Sequence, residues 1–132
     1  CSILPTKTNH QIWGLTASLD PKGYDVHAPG ASDNGTVTPT ASLSSWPYIP
    51  QLAEDAFMGM YKDRGKDLWS EYGFFDAYND QEKWVAPGHV SIDVATIAPM
   101  IENARTGLCW NIFSASPEAK AMIELDAKAQ LK

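Results

Sequence analysis

Carboxylates dominate the reactive side chains of this sequence, with 16 Asp and Glu against 10 Lys and Arg and three His. Two carboxyl groups can divide the roles of acid and base at a glycosidic bond. The pair must lie about 5–5.5 Å apart for retention, or about 6.5–9.5 Å apart when a water stands between them. The candidates are Asp20, Asp25 and Asp33 in the first third of the chain, Asp76 inside the aromatic string Phe74-Phe75-Asp76-Ala77-Tyr78-Asn79, and Asp93 and Glu102 in the apolar segment 91–106. Asp93 and Glu102 cannot form a pair by themselves, because nine residues along one helix span about 13.5 Å. Each candidate also has a simpler reading. Glu102 stands three residues before Arg105, the spacing of a helical ion pair. Asp93 follows Ser91 at a helix start, where an acid favours the helix dipole. Asp33-Asn34-Gly35 is a turn sequence.

Other chemistries find less support. His10, His27 and His89 are far apart and in no metal-binding spacing, so no metal site is expected. Cys1 and Cys109 make no C-x-x-C motif, and Cys109 sits in an apolar run where an inert thiol is expected. There is no G-x-S-x-G nucleophile elbow, and Gly30 to Gly35 matches neither phosphate-loop pattern, so no cofactor is implied. A net charge of −6 without a basic stripe argues against nucleic acid and anionic membrane surfaces. No apolar run is long enough for a membrane span.

The elements that must hold these carboxylates divide the 132 residues in two. Residues 1–46 are rich in Gly, Pro, Ser, Thr, Asn and Asp without sustained periodicity, and read as a long loop region. Its Trp13, Leu15, Tyr24, Val26, Val37, Leu43 and Trp46 argue that it is packed down. Residues 47–132 read as helices. Pro50 suits a first helical position, with Leu52, Ala56, Phe57, Met60 and Tyr61 lining one face and Gly65 ending the helix. Asp67 to Tyr72 can add a turn or two, and Asn79-Asp80 is a polar turn. Ser91 to Thr106 is apolar over so wide an arc that it should be buried on most sides. Pro99 either kinks it or lies in the first turn of a helix starting near Thr96. Leu108 to Phe113 continues as a further turn or two. Ser116-Pro117-Glu118 begins a last helix, with Ala119, Met122, Ile123 and Leu125 facing inward. The class is mainly α, and a helix apolar nearly all round needs more neighbours than this chain offers.

Several strings, in order, resemble the closing third of the glucoamylase-like glycoside hydrolases, the family that includes bacterial β-1,2-glucanases and a region of cyclic β-1,2-glucan synthases. They are Ile12-Trp13-Gly14-Leu15-Thr16-Ala17, Gly23-Tyr24, Asp33 to Ala41, Tyr72 to Asn79, Trp84-Val85, and Met100 to Trp110. Departures occur at Ser18-Leu19-Asp20-Pro21, at Asp93-Val94-Ala95 and at Ala104. The resemblance implies an (α/α)6 toroid, with the sugar in a cleft at one end and loops 1–46 lining it. Twelve helices of about 11 residues plus loops exceed this chain. Together with a start at Cys1 rather than Met, this leads to the expectation of a C-terminal segment of one larger hydrolase domain. A lipoprotein attachment cysteine is an alternative reading of Cys1.

By the same resemblance the main acid and base lie mostly upstream, with Asp33, Asp93 and Glu102 as the candidates present here. Trp13 and Tyr24 would be stacking or wall groups, Asp33 and Thr38 hydroxyl-binding loop groups, and Asp93 and Glu102 cleft-side acids, with an architectural pairing to Arg105 as the alternative for Glu102. The implied partners are an oligo- or polysaccharide and the remainder of the hydrolase domain. A bacterial glucan, β-1,2-linked, is the expected substrate, in a periplasmic or secreted setting. The alternatives are a non-catalytic carbohydrate-binding module and a helical interaction module.

Overall fold

The computed structural model describes residues 10–129, so readings of Cys1 lie outside the described residues. The first third is more structured than its composition predicts. It holds a hairpin of β1 (Ser18–Asp20) and β2 (Gly23–Asp25), then β3 (Thr36–Val37) and a short helix α1 (Pro39–Leu43). Three-residue strands and a five-residue helix are too short to show periodicity.

Helix α2 (Pro50–Leu68) begins with proline at the start of its first turn, as its sequence predicts. Its buried face is rotated from the predicted one. Ala53, Ala56, Gly59 and Met60 face the core, while Leu52 and Tyr61 are exposed. The reason is close approach: a Cβ at Gly59 would come within 2.8 Å of the Ile12 side chain, so the small residues mark where segment 10–15 lies against the helix. Gly65 does not end α2. A mid-helix glycine costs only about 1 kcal/mol relative to alanine, and fully buried Leu68 anchors the last turn.

The predicted extra turns after Asp67 are instead a second hairpin, β4 (Trp69–Ser70) with β5 (Gly73–Phe74). β6 (Tyr78–Asn79) and β7 (Trp84–Val85) join β3 in a three-stranded antiparallel sheet, with β6 central and Val37, Tyr78 and Val85 in register. The predicted turn after Asn79 is present, and Asn79 organises it. Its Oδ1 accepts from the Gln81 and Glu82 amides, and its Nδ2 donates to the Asn34 carbonyl and Thr36 Oγ1. Ile12, Val37, Leu43, Ala56, Met60, Leu68, Phe74 and Tyr78 form one core between α1, α2 and the sheet.

Segment 91–106 is split into α3 (Ser91–Val94) and α4 (Ile97–Thr106), leaving Pro99 in the first turn of α4. Gly107, at φ +69° in the left-handed region, caps α4 and starts α5 (Leu108–Ser114). In α6 (Pro117–Ala129), Ser116 caps the N-terminus by accepting from the Ala119 amide at 3.2 Å. The expected burial of these helices is not met within the chain. Ile92, Ile112, Phe113, Met122, Ile123 and Leu125 are exposed, and of the predicted inward face of α6 only Ala119 is covered. The apolar patterning does mark helices, but no element among the described residues packs over those faces. None of the described helices is long and apolar enough to cross a membrane.

Candidate active site

The structure brings together a carboxylate pair that spacing along the chain did not reveal. Asp76 follows β5 and is fully buried, and its carboxyl lies within hydrogen-bonding reach of Asp93 in the first turn of α3. One hairpin holds both groups. The Leu19 amide of β1 donates to Asp76 Oδ2 at 2.8 Å. Tyr24, the residue paired with Leu19 across the ladder, donates its hydroxyl to Asp93 Oδ1 at 3.1 Å. The Val90 amide faces the Asp76 carboxyl as well.

Burial raises the Asp76 carboxyl above the ordinary Asp range, and the Asp93 charge beside it pushes the same way, outweighing the Leu19 and Val90 amides. The Tyr24 hydroxyl is likewise raised, by partial desolvation and then by its bond to Asp93. Asp76 Oδ1 and Asp93 Oδ2 are both buried without a hydrogen-bond partner. Two facing carboxyls with orphaned oxygens are the arrangement that a shared proton satisfies.

Asp93 also reaches a polar cleft of about 270 Å³, lined with Thr16, Thr40, Ser44, Ser45 and Thr96. Thr40 and Thr96 both donate to the Asp93 carbonyl, at 2.6 and 2.9 Å, and so pin the start of α3 beside α1. Asp93 is therefore the member of the pair that borders the cleft, while Asp76 is fully buried.

The other predicted site residues fall elsewhere. Glu102 pairs with Arg105 at 2.9 Å and accepts from Thr106, and these two neighbours, Thr106 first, hold its carboxyl below the usual range. That is the architectural alternative for this residue. Asp33 accepts from the Gly35 amide at 3.2 Å within its own turn. Half-buried Trp13 packs on the core and donates its indole N–H to the Leu52 carbonyl at 3.3 Å. Thr38 is a correction: it is fully buried, and its hydroxyl donates to Ser18 Oγ at 2.8 Å, so it serves the interior rather than a sugar. In the sequence, Asp76 is a candidate by type alone. The signal that singles it out is an acid inside a run of aromatic residues that the fold buries.

Among the described residues no group of three His, Cys, Asp or Glu is placed to hold a metal ion. Cys109 is a free, half-buried thiol.

Known proteins share this arrangement of elements. An exo β-1,2-glucooligosaccharide sophorohydrolase (non-reducing end) of Parabacteroides distasonis is 42% identical over 113 residues, which is 85% of this chain and 16% of that protein. The endo-β-1,2-glucanase from Chitinophaga pinensis, solved with sophorotriose and glucose, superposes with a TM-score of 0.82 at 40% identity, covering 87% of this chain and 27% of that one. The β-1,2-glucanase from Parabacteroides distasonis gives a TM-score of 0.81 at 41% identity, over 83% of this chain and 16% of that one. The chain thus spans well under a third of each of these relatives. The Glycoamylase family model matches residues 6–117, most of the sequence, and by that match the chain belongs to the glucoamylase-like family.

Proposed function

We propose that this chain is the C-terminal part of an (α/α)6 glycoside hydrolase domain that cleaves β-1,2-linked glucan, and that Asp76 and Asp93 together supply one of its two catalytic carboxyl stations. The observation that carries this reading is the buried Asp76–Asp93 contact, held by two donors of one hairpin beside a hydroxyl-lined cleft. Two carboxyls in contact leave no room between them for a glycosidic oxygen or a water, so they are not the acid and the base of one reaction. They act as a unit. Asp76 holds a proton near Asp93 at a pH where an isolated Asp would have lost it, and the opposite carboxylate comes from the rest of the domain.

Support for the substrate comes from the relatives, which are named for β-1,2-glucooligosaccharide and β-1,2-glucan hydrolysis. Support for the larger domain comes from the small share of those relatives that this chain spans, and from the uncovered apolar faces of α3 to α6. A polysaccharide substrate fits a periplasmic or secreted setting.

The test uses the complete protein with β-1,2-gluco-oligosaccharides. Hydrolysis that falls at least about a hundredfold in Asp93→Asn, with sugar binding retained, is the expected result. Full activity in Asp93→Asn overturns the assignment of the pair. Sugar binding without any hydrolysis by the native protein would favour a carbohydrate-binding module instead. In crystals soaked with the same sugars, density should lie within about 10 Å of Asp93, a reach of two sugar rings beyond a direct hydrogen bond.

A further inference from the structure

We propose that the buried cluster of His27, Ser18, Asp20 and Thr38 is the positioning device for the Asp76–Asp93 pair, acting through the β1–β2 hairpin. This rests on the reading of that pair as a catalytic station. His27 is 3% exposed and lies after β2, outside the site itself. Its Nδ1 is 3.1 Å from the Thr16 carbonyl and 3.3 Å from Ser18 Oγ, and its Nε2 is 3.6 Å from Asp20 Oδ2. The ring therefore bridges the residues on either side of Leu19.

Both flanking residues are fixed from further directions. Ser18 Oγ accepts from Thr38, at the start of α1. Asp20 Oδ1 accepts from the Lys22 and Gly23 amides at 2.7 and 2.9 Å, closing the hairpin turn, and its Oδ2 accepts from Asn34 at 3.1 Å. Those amides, with help from His27, more than offset burial and keep the Asp20 carboxyl below its ordinary range. In a strand, alternate side chains point to opposite faces. Ser18 and Asp20 are buried in the cluster, and Leu19 between them is less covered.

A two-stranded ribbon of three residues per strand is marginal by itself, and β2 is exposed along its whole length. Its ladder alone cannot fix an atom to the few tenths of an ångström that a catalytic carboxyl requires. The cluster can, because its members tie β1 to α1 and to the 30–35 loop. What it fixes is the Leu19 amide on Asp76 and, across the same ladder, the Tyr24 hydroxyl on Asp93. His27 and Ser18 are thus positioning residues that never touch substrate.

The experiment compares His27→Ala and Thr38→Val with Asp76→Asn in the complete protein, on a β-1,2-gluco-oligosaccharide. The titratable groups facing Asp76 are Asp93 from α3 and Tyr24 from β2, and the amides of Leu19 and Val90 complete its surroundings. Weakening the Leu19 amide bond removes a force that favours the charged carboxyl, so the alkaline limb of the pH–rate profile, where Asp76 gives up its proton, should move to higher pH. We expect kcat about 10- to 100-fold lower in His27→Ala with KM within about twofold, and about 3- to 10-fold lower in Thr38→Val, both with the displaced limb. His27→Gln, which restores one donor, should recover part of the rate. Thr38→Val keeps its volume, so it decides the matter if His27→Ala does not fold. A folded variant with an unmoved pH limb overturns the positioning role, whether its rate is native or simply reduced. Full activity in Asp76→Asn refutes the underlying reading of the pair, which is a separate failure.

Discussion

Replacing Asp76 by asparagine should make the protein more stable and much less active, and both effects follow from the same contact. In the native chain a buried carboxyl with a raised pKa faces a second carboxylate. Its stabilising contribution is fully present below the ordinary Asp value of 3.8 and is lost as pH rises through the higher folded-state value. An amide has no proton to lose. The oxygen of the substituted side chain can still accept the Leu19 amide, now bonded to Asp76 at 2.8 Å. Its new NH2 group can donate to Asp93, and a hydrogen bond to a charged group contributes about 1.5–3 kcal/mol. Since the native pair already recovers part of this through its shared proton, the net gain at about pH 8 should be roughly 1–2 kcal/mol. In a protein of about 150–250 residues that raises Tm by about 2–8 °C, and by less in a longer one. The gain should shrink toward zero as pH falls to the ordinary Asp range. Thermal unfolding of the complete protein across that pH series reads the first effect, and initial hydrolysis rates read the second, with a loss of at least about a hundredfold expected. A variant that is less stable at high pH, or one that keeps native activity, would refute the shared-proton reasoning.

Three further outcomes separate the site from its scaffold. Glu102→Gln removes a carboxylate bonded to exposed neighbours, so thermal stability should hardly change and hydrolysis should stay within about twofold of native. A large loss of activity there would return Glu102 to the cleft. Tyr24→Phe deletes the hydroxyl that donates to Asp93. The rate should fall about tenfold, because the Asp93 carboxyl loses the donor that orients it. Gly14→Ala should cost about 2–4 kcal/mol in denaturant unfolding. Gly14 has φ +151°, and a Cβ there would stand 2.6 Å from the Thr38 carbonyl oxygen, at the close approach where Thr38 donates its own amide to the Gly14 carbonyl.

Chain order and local chemistry determined a good part of this protein without coordinates. Pro50 at the start of α2, Thr96 just before α4 with Pro99 in its first turn, and Ser116 as the last N-cap each follow from backbone rules acting within a few residues. The ordered strings from Ile12 to Trp110 pointed to the family, and the Glu102–Arg105 bond is set by helical spacing alone. Tertiary structure decided what depends on distant segments meeting. Gly65 lies inside a helix because Leu68 is anchored in a core made from other elements, and the buried face of α2 turned toward Ala53 and Gly59 because Ile12 lies there. Asp76 and Asp93 are 17 positions apart, and Leu19 and Tyr24 come from a hairpin more than fifty residues before Asp76. No period in the sequence encodes that meeting. It arises because the sheet places Asp76 under the hairpin while Thr40 holds α3 against α1, and only the resulting burial and contact raise the Asp76 carboxyl above the ordinary Asp range.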